Sequence, residues 1–156
     1  MTQKTSYIGP KIALYQPDIP QNTAAIIRTC SCLGVELEII EPCGFFLTDP
    51  RFKRVVMDYL DISLIKFYKS YEDFEKAKDK KRIILATTKA KESYINFKFK
   101  KDDTLLFGRE SSGVPEKLHK NIKYKIKIPM IENKRSLNLA TSAAIIISES
   151  LRQTSY

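Results

Sequence analysis

Six short apolar runs, at 11–15, 35–40, 62–67, 82–87, 104–107 and 124–128, alternate with segments of helical spacing, and this alternation restricts the fold more than any other feature. A strand that leads through a helix into the next strand returns to its sheet in parallel, and helices carried by such crossovers cover the faces. The intervening segments carry helix signals. Residues 19–33 have near-helical apolar spacing and stop at Gly34, suited to a left-handed exit; Pro50 stands near the start of a second helix. Ser70 is placed to cap a third, with Asp73 at capping-box distance, and 137–151, rich in Ala and Ile, forms the last and most buried-looking helix. The expected architecture is α/β: a single domain over residues 1–156, with a mainly parallel sheet and helices on both faces.

Two strand-to-helix junctions mark the candidate site. After the apolar Ile126-Lys-Ile128, a polar loop runs through Arg135 into a helix starting near Ser136 to Asn138; Thr104-Leu-Leu-Phe-Gly108 likewise ends in a polar turn before Pro115. Strand ends have no further ladder partner and helix starts offer unpaired N–H groups, so both can hold a polar ligand. In parallel sheets ligands collect beyond the carboxyl ends of strands, which places Thr87, Gly108 and Ile128 on one rim.

Lys and Arg number 27 against 18 Asp and Glu, a net charge of +9 and a pI near 9.4. That excess favours a polyanionic partner such as nucleic acid, although a solvated lysine-rich surface has the same composition. No run of about 18 apolar residues occurs and the first residues lack an apolar signal core, so the expectation is a soluble cytoplasmic protein without membrane association. Cys30, Cys32 and Cys43, with His119 as the one imidazole, do not form a zinc set; no metal is expected and the thiols are expected to be buried and reduced.

Three spaced motifs, Pro20-Gln-Asn22-Thr-Ala-Ala-Ile-Ile-Arg28, Phe107-Gly108-Arg-Glu110-Ser-Ser-Gly113 and Ile128-Pro-Met130 followed by Ser136-Leu-Asn138-Leu, resemble the SPOUT superfamily of knotted methyltransferases. The resemblance is nearest to its small branch, the transfer RNA wobble-nucleotide 2'-O-methyltransferases of the YibK/TrmL type, and covers nearly the whole chain. Ile40-Glu-Pro-Cys-Gly-Phe45, Asp58-Tyr59 and Thr87-Thr-Lys89 agree with that branch. It implies a deep trefoil knot near the C-terminus, S-adenosylmethionine as cofactor and a homodimer acting on transfer RNA, at the ribose of a wobble cytidine or modified uridine. Periodicity alone would not suggest a knot.

By the same resemblance Ala86, Thr87, Gly108, Ile128, Ser136 and Leu137 bind the cofactor, mostly through backbone atoms. Arg28, Asn138 and Glu110 are the candidate catalytic residues; Asn22 and Arg135 are candidates for substrate binding. Arg28 either takes the hydroxyl proton or stabilises the developing alkoxide, and a guanidinium with a pKa above about 12 favours the second role. Asn22 and Asn138 each stand where a helix begins, so capping competes with a direct role, and for Asn22 capping is the favoured reading. Glu110 organises its loop or Arg28, or is a solvent-facing turn carboxylate. Arg135 contacts phosphate or ribose, or is a surface cation. Lys53, Arg54, Lys89 and Lys91 are candidates for gripping RNA.

Two positions depart from the family pattern: Ala24 where Gly is common, and Ser148 in a helix where many relatives have Tyr. Methylation of another RNA ribose and non-catalytic RNA binding remain as alternatives. A dinucleotide dehydrogenase is disfavoured, since no Gly-x-Gly-x-x-Gly turn follows the first strand.

Overall fold

The computed structural model describes residues 6–56, 65–134 and 136–156. Asp58-Tyr59, Arg135 and the first residues of the 62–67 run lie outside the described residues. Strands β1 (Lys11–Tyr15), β2 (Leu37–Ile40), β3 (Lys66–Tyr68), β4 (Ile83–Ala86), β5 (Thr104–Phe107) and β6 (Tyr124–Ile126) alternate with helices α1 (Pro20–Leu33), α2 (Pro50–Val56), α3 (Tyr71–Ala77), α4 (Glu116–Asn121) and α5 (Leu139–Thr154). Among the described elements only β4 and β5 follow each other without a helix between them.

All described strands join one sheet in the order β3-β2-β1-β5-β4-β6, and every pairing is parallel. β1 is the hinge of this order. Leu14 is in register with Ile39 on one side and Phe107 on the other, so residues 11–15 join the first half of the chain to the second. The parallel α/β expectation therefore holds.

The two-residue period of β1 divides the core. Ile12 and Leu14 pack with Ile26, Ile27 and Cys30 of α1, Phe52 of α2 and Ala143, Ile146, Ile147 and Leu151 of α5. Ala13 and Tyr15 face the other way, into a smaller cluster with Tyr68, Phe74, Leu106 and Ile122. Helices thus cover both faces, with α1, α2 and α5 on the larger.

Local signals fixed most element ends. Gly34 leaves α1 at φ 71, and its amide donates to Cys30 O. The Ser70 side chain accepts from Asp73 N at 3.1 Å. Other ends moved for longer-range reasons. β6 stops at Ile126 because Lys127 pairs away from β4: its amide donates to Glu92 O, and its carbonyl accepts from Tyr94 N, each at 2.9 Å. α5 starts only at Leu139, since Asn138 is its non-helical cap at ψ 139.

Two charged pairs pin the sheet margins. Lys78 and Glu38 form a buried ion pair, in which burial lowers the lysine pKa while the carboxylate partly offsets this. Arg82 makes a two-pronged contact with Asp103, Nε to Oδ1 at 2.8 Å and a terminal nitrogen to Oδ2 at 2.7 Å. The same guanidinium donates to Lys98 O and lies about 5 Å from the Phe97 and Tyr124 rings. Asp103 is fully buried. Removing the cation leaves an uncompensated carboxylate, so Arg82→Ala should cost about 3 kcal/mol of unfolding free energy in urea titrations. Arg82→Lys should recover less than half, because an ammonium cannot reproduce the planar fork.

Candidate active site

The carboxyl ends of β4, β5 and β6 lie side by side, and beyond them opens a cavity of about 580 Å³, within the range that buries a small organic ligand. Its wall brings together Ala86 and Thr87 at the end of β4, Gly108 and Glu110 after β5, Ile128 after β6, Ser136, Leu137 and Asn138 before α5, and Asn22 of α1. Nine of the candidate residues thus meet at one place. Arg28 does not join them: it is exposed on α1, six residues past Asn22 or about 9 Å along the axis. Arg135 lies outside the described residues.

Gly108 is fixed by close approach. A Cβ there would fall 2.7 Å from the backbone of Gly113, because Arg109 and Gly113 exchange two backbone hydrogen bonds, at 3.0 and 2.8 Å, and fold the turn back on itself. Gly113 closes that turn at φ 67, a conformation that side chains other than Asn and Asp rarely take.

The asparagines have different roles. Asn138 caps α5, its Oδ1 accepting from Ala140 N at 2.9 Å and Thr141 N at 3.2 Å, while its Nδ2 donates to Asn22 Oδ1 at 2.9 Å. The expected capping role of Asn22 is not found. α1 begins at Pro20, two residues earlier, with Ile19 at the cap position and no side-chain cap. Proline supplies the helical φ and lacks the donor that a cap would satisfy. Asn22 is instead the acceptor that ties α1 to the start of α5 across 116 residues.

Glu110 turns inward rather than into solvent. Its Oε2 accepts the Asp18 amide at 2.9 Å, and its Oε1 is buried. Burial raises its pKa, and the neighbouring Asp18 side chain adds to this. Asp18 in turn sits 3.6 Å from a terminal nitrogen of Arg109.

His119, considered in the sequence only as a metal ligand, also lines the cavity, with Nε2 3.5 Å from Thr87 Oγ1. Burial, then Lys125 and Lys89, depress its pKa and favour the neutral ring. No spacing connects it to Thr87, 32 positions away; α4 delivers it. Of the four basic candidates, all exposed, only Lys89 reaches the cavity wall. Ala24 is buried in the core, and Ser148 is exposed. Of the three thiols expected to be buried only Cys30 is; Cys32 is exposed on α1, and Cys43 is half-buried, its pKa pushed up to about 11, chiefly by burial. Among the described residues no cluster of His, Cys, Asp and Glu has the arrangement of a metal site, and no helix is long and apolar enough to cross a membrane.

Comparison with known proteins accords with this geometry. The model of the SpoU rRNA Methylase family matches residues 10–148. A tRNA (cytidine(34)-2'-O)-methyltransferase of Beijerinckia indica is 46% identical over 144 residues, covering 91% of this chain and 90% of its own. A solved structure described as giving structural insights into the 2-OH methylation of C/U34 on tRNA superposes with TM-score 0.87 at 36% identity, covering 92% of this chain and 94% of that one. The SpoU methyltransferase AviRb of Streptomyces viridochromogenes, solved in complex with AdoMet, shares the fold at TM-score 0.81 and 23% identity, over 97% of this chain and 59% of its own. The motif resemblance and the cavity at the strand ends thus have one explanation: the chain belongs to the SpoU rRNA Methylase family.

Proposed function

We propose that this protein transfers a methyl group from S-adenosylmethionine to the 2'-hydroxyl of the wobble nucleotide, position 34, of transfer RNA, as its relatives are named for doing. One observation carries this reading: the loops after β4, β5 and β6 converge with the start of α5 on a single cavity. Its contents fit the cofactor. Leu85, Ile126, Ile128 and Leu137 offer apolar surface suited to a purine, and Thr87, Ser136 and Asn138 offer polar groups around it.

The bound cofactor supplies an electrophilic methyl on a sulfonium. The protein's part is to hold the ribose oxygen in line with that methyl and to stabilise the charge that grows on the oxygen as its proton departs. Arg28 is our candidate for the second task. Its exposure on α1, away from the cavity of its own chain, suits a homodimer in which Arg28 of one copy faces the cavity of the other. Asn22 and Asn138 orient the entrance through their shared hydrogen bond, and Arg135 is assigned to phosphate or ribose. The exposed Lys53, Arg54, Lys89 and Lys91 give the polyanion a cationic surface.

The whole chain acts as one SPOUT domain in the cytoplasm, with a deep trefoil knot at its C-terminal end. Strand order supports the knot: the chain passes outside β4 to form β6, then returns so that α5 packs against α1.

Purified protein given methyl-labelled S-adenosylmethionine and bulk transfer RNA should label ribose at the wobble position, mapped by nuclease digestion and mass spectrometry. Label on a base, or on a ribose elsewhere, would overturn the assignment. Arg28→Ala should bind cofactor within about twofold of the parent by calorimetry and lose turnover by about 10²- to 10³-fold, the range seen when a charge-stabilising donor is removed. Gly108→Ala should cost about 1–3 kcal/mol of stability through overpacking against Gly113 and weaken cofactor binding in the same titration.

A further inference from the structure

Three loops meet beside the cavity around one small group of charges. Asp18 comes from the β1–α1 loop, Arg109 and Glu110 from the β5–α4 loop, and Gly44 of the β2–α2 loop closes over them. A Cβ on Gly44 would lie 2.6 Å from Asp18 Cβ, and the Gly44 amide donates to Pro17 O at 2.8 Å. Asp18 is thus held from two sides, its amide committed to Glu110 Oε2 at 2.9 Å and its Oδ2 3.6 Å from Arg109.

The two remaining oxygens of this group, Asp18 Oδ1 and Glu110 Oε1, are both buried without a hydrogen-bond donor. A buried acceptor left bare is costly, and two carboxylates beside one guanidinium leave the group with net negative charge. One proton between the carboxyls removes both faults: the group becomes neutral, and each bare oxygen gains a partner. We propose that Asp18 and Glu110 share one proton, and that this shared proton latches the β1–α1 loop to the cavity wall, making Asp18 a positioning residue for the site.

Charged and titratable groups reach the cluster from each packed element, including Tyr15 at the end of β1, on which Arg109 acts. Arg109 and the Ser111 hydroxyl lie on the same loop as Glu110. Cys43 approaches from the β2–α2 loop, where Glu41 and Arg109 also act on its thiol. Glu110 is held above the ordinary carboxyl range by burial and then by Asp18, so the stability tied to its proton is present in acid and is lost as pH rises through the raised value. Asp18 is held below its ordinary range, chiefly by the Glu110 hydrogen bond, so its contribution fades only in stronger acid.

Glu110→Gln mimics the protonated acid, since its amide can donate to Asp18 Oδ1 while its carbonyl still accepts the Asp18 amide. The melting temperature of ligand-free Glu110→Gln should rise relative to the parent by about 3 °C between pH 5 and pH 9, because only the parent loses the proton. A gap that stays constant with pH overturns the shared proton. Asp18→Ala, at pH 7, should bind S-adenosylhomocysteine about tenfold more weakly than the parent by calorimetry while Asp18→Asn, whose amide can still donate to Glu110 Oε1, recovers most of that loss; equal affinity in Asp18→Ala overturns the positioning role. The affinity arm rests on the methyltransferase reading and the melting arm does not. A parent that binds no S-adenosylhomocysteine while the melting gap opens would overturn that reading and uphold the proton.

Discussion

The pairing of β1 with β5 is the constraint on which the site depends. These strands are some ninety positions apart in the chain, yet Leu14 and Phe107 are in register. That register sets the β1–α1 loop beside the β5–α4 loop. Asp18 therefore meets Glu110 and Arg109, and Asn22 comes within reach of Asn138. Closing so long a loop has an entropic cost that only a buried interface offsets. Both strands are accordingly almost wholly buried, between the α1, α2 and α5 layer on one face and the α3 and α4 layer on the other.

Around this centre, polar contacts work as fasteners between elements that hydrophobic packing leaves free to slide. Arg82 holds Asp103 and Lys98 at the foot of β4 and β5. Gln153 of α5 donates to Phe97 O and accepts from Phe99 N, so the last helix is tied to the connection between β4 and β5. Asn138 performs the same service at the other end of α5. The cavity is thus bounded by loops whose feet are fixed, a condition for holding a ligand in one geometry.

Much of this was legible from residues alone. The limits of β1 and β5 coincide with their apolar runs, and Gly34, Pro50 and Ser70 stand at helix ends as their chemistry requires. The rim of Thr87, Gly108 and Ile128 followed from parallel geometry, and all three line the cavity. The asparagines show where such reading stops. Asn is a good cap in any sequence, and Asn138 is one, but at Asn22 the preceding Pro20 had already opened the helix. Only the neighbour across the fold gave Asn22 its partner.

What the chain determined by itself was local: the alternation of elements, their caps, the glycine that lets the Arg109–Gly113 turn close, and a basic surface. These depend on hydrogen bonds and side-chain periods spanning a few residues, and hence are written in short stretches of sequence. Tertiary structure decided which strands are neighbours, which of two asparagines caps, that His119 faces Thr87, that Arg28 stands away from the cavity of its own chain, and that Asp18 and Glu110 confront each other. Those outcomes come from register between distant strands and from burial, where the energy of a residue depends on what arrives beside it.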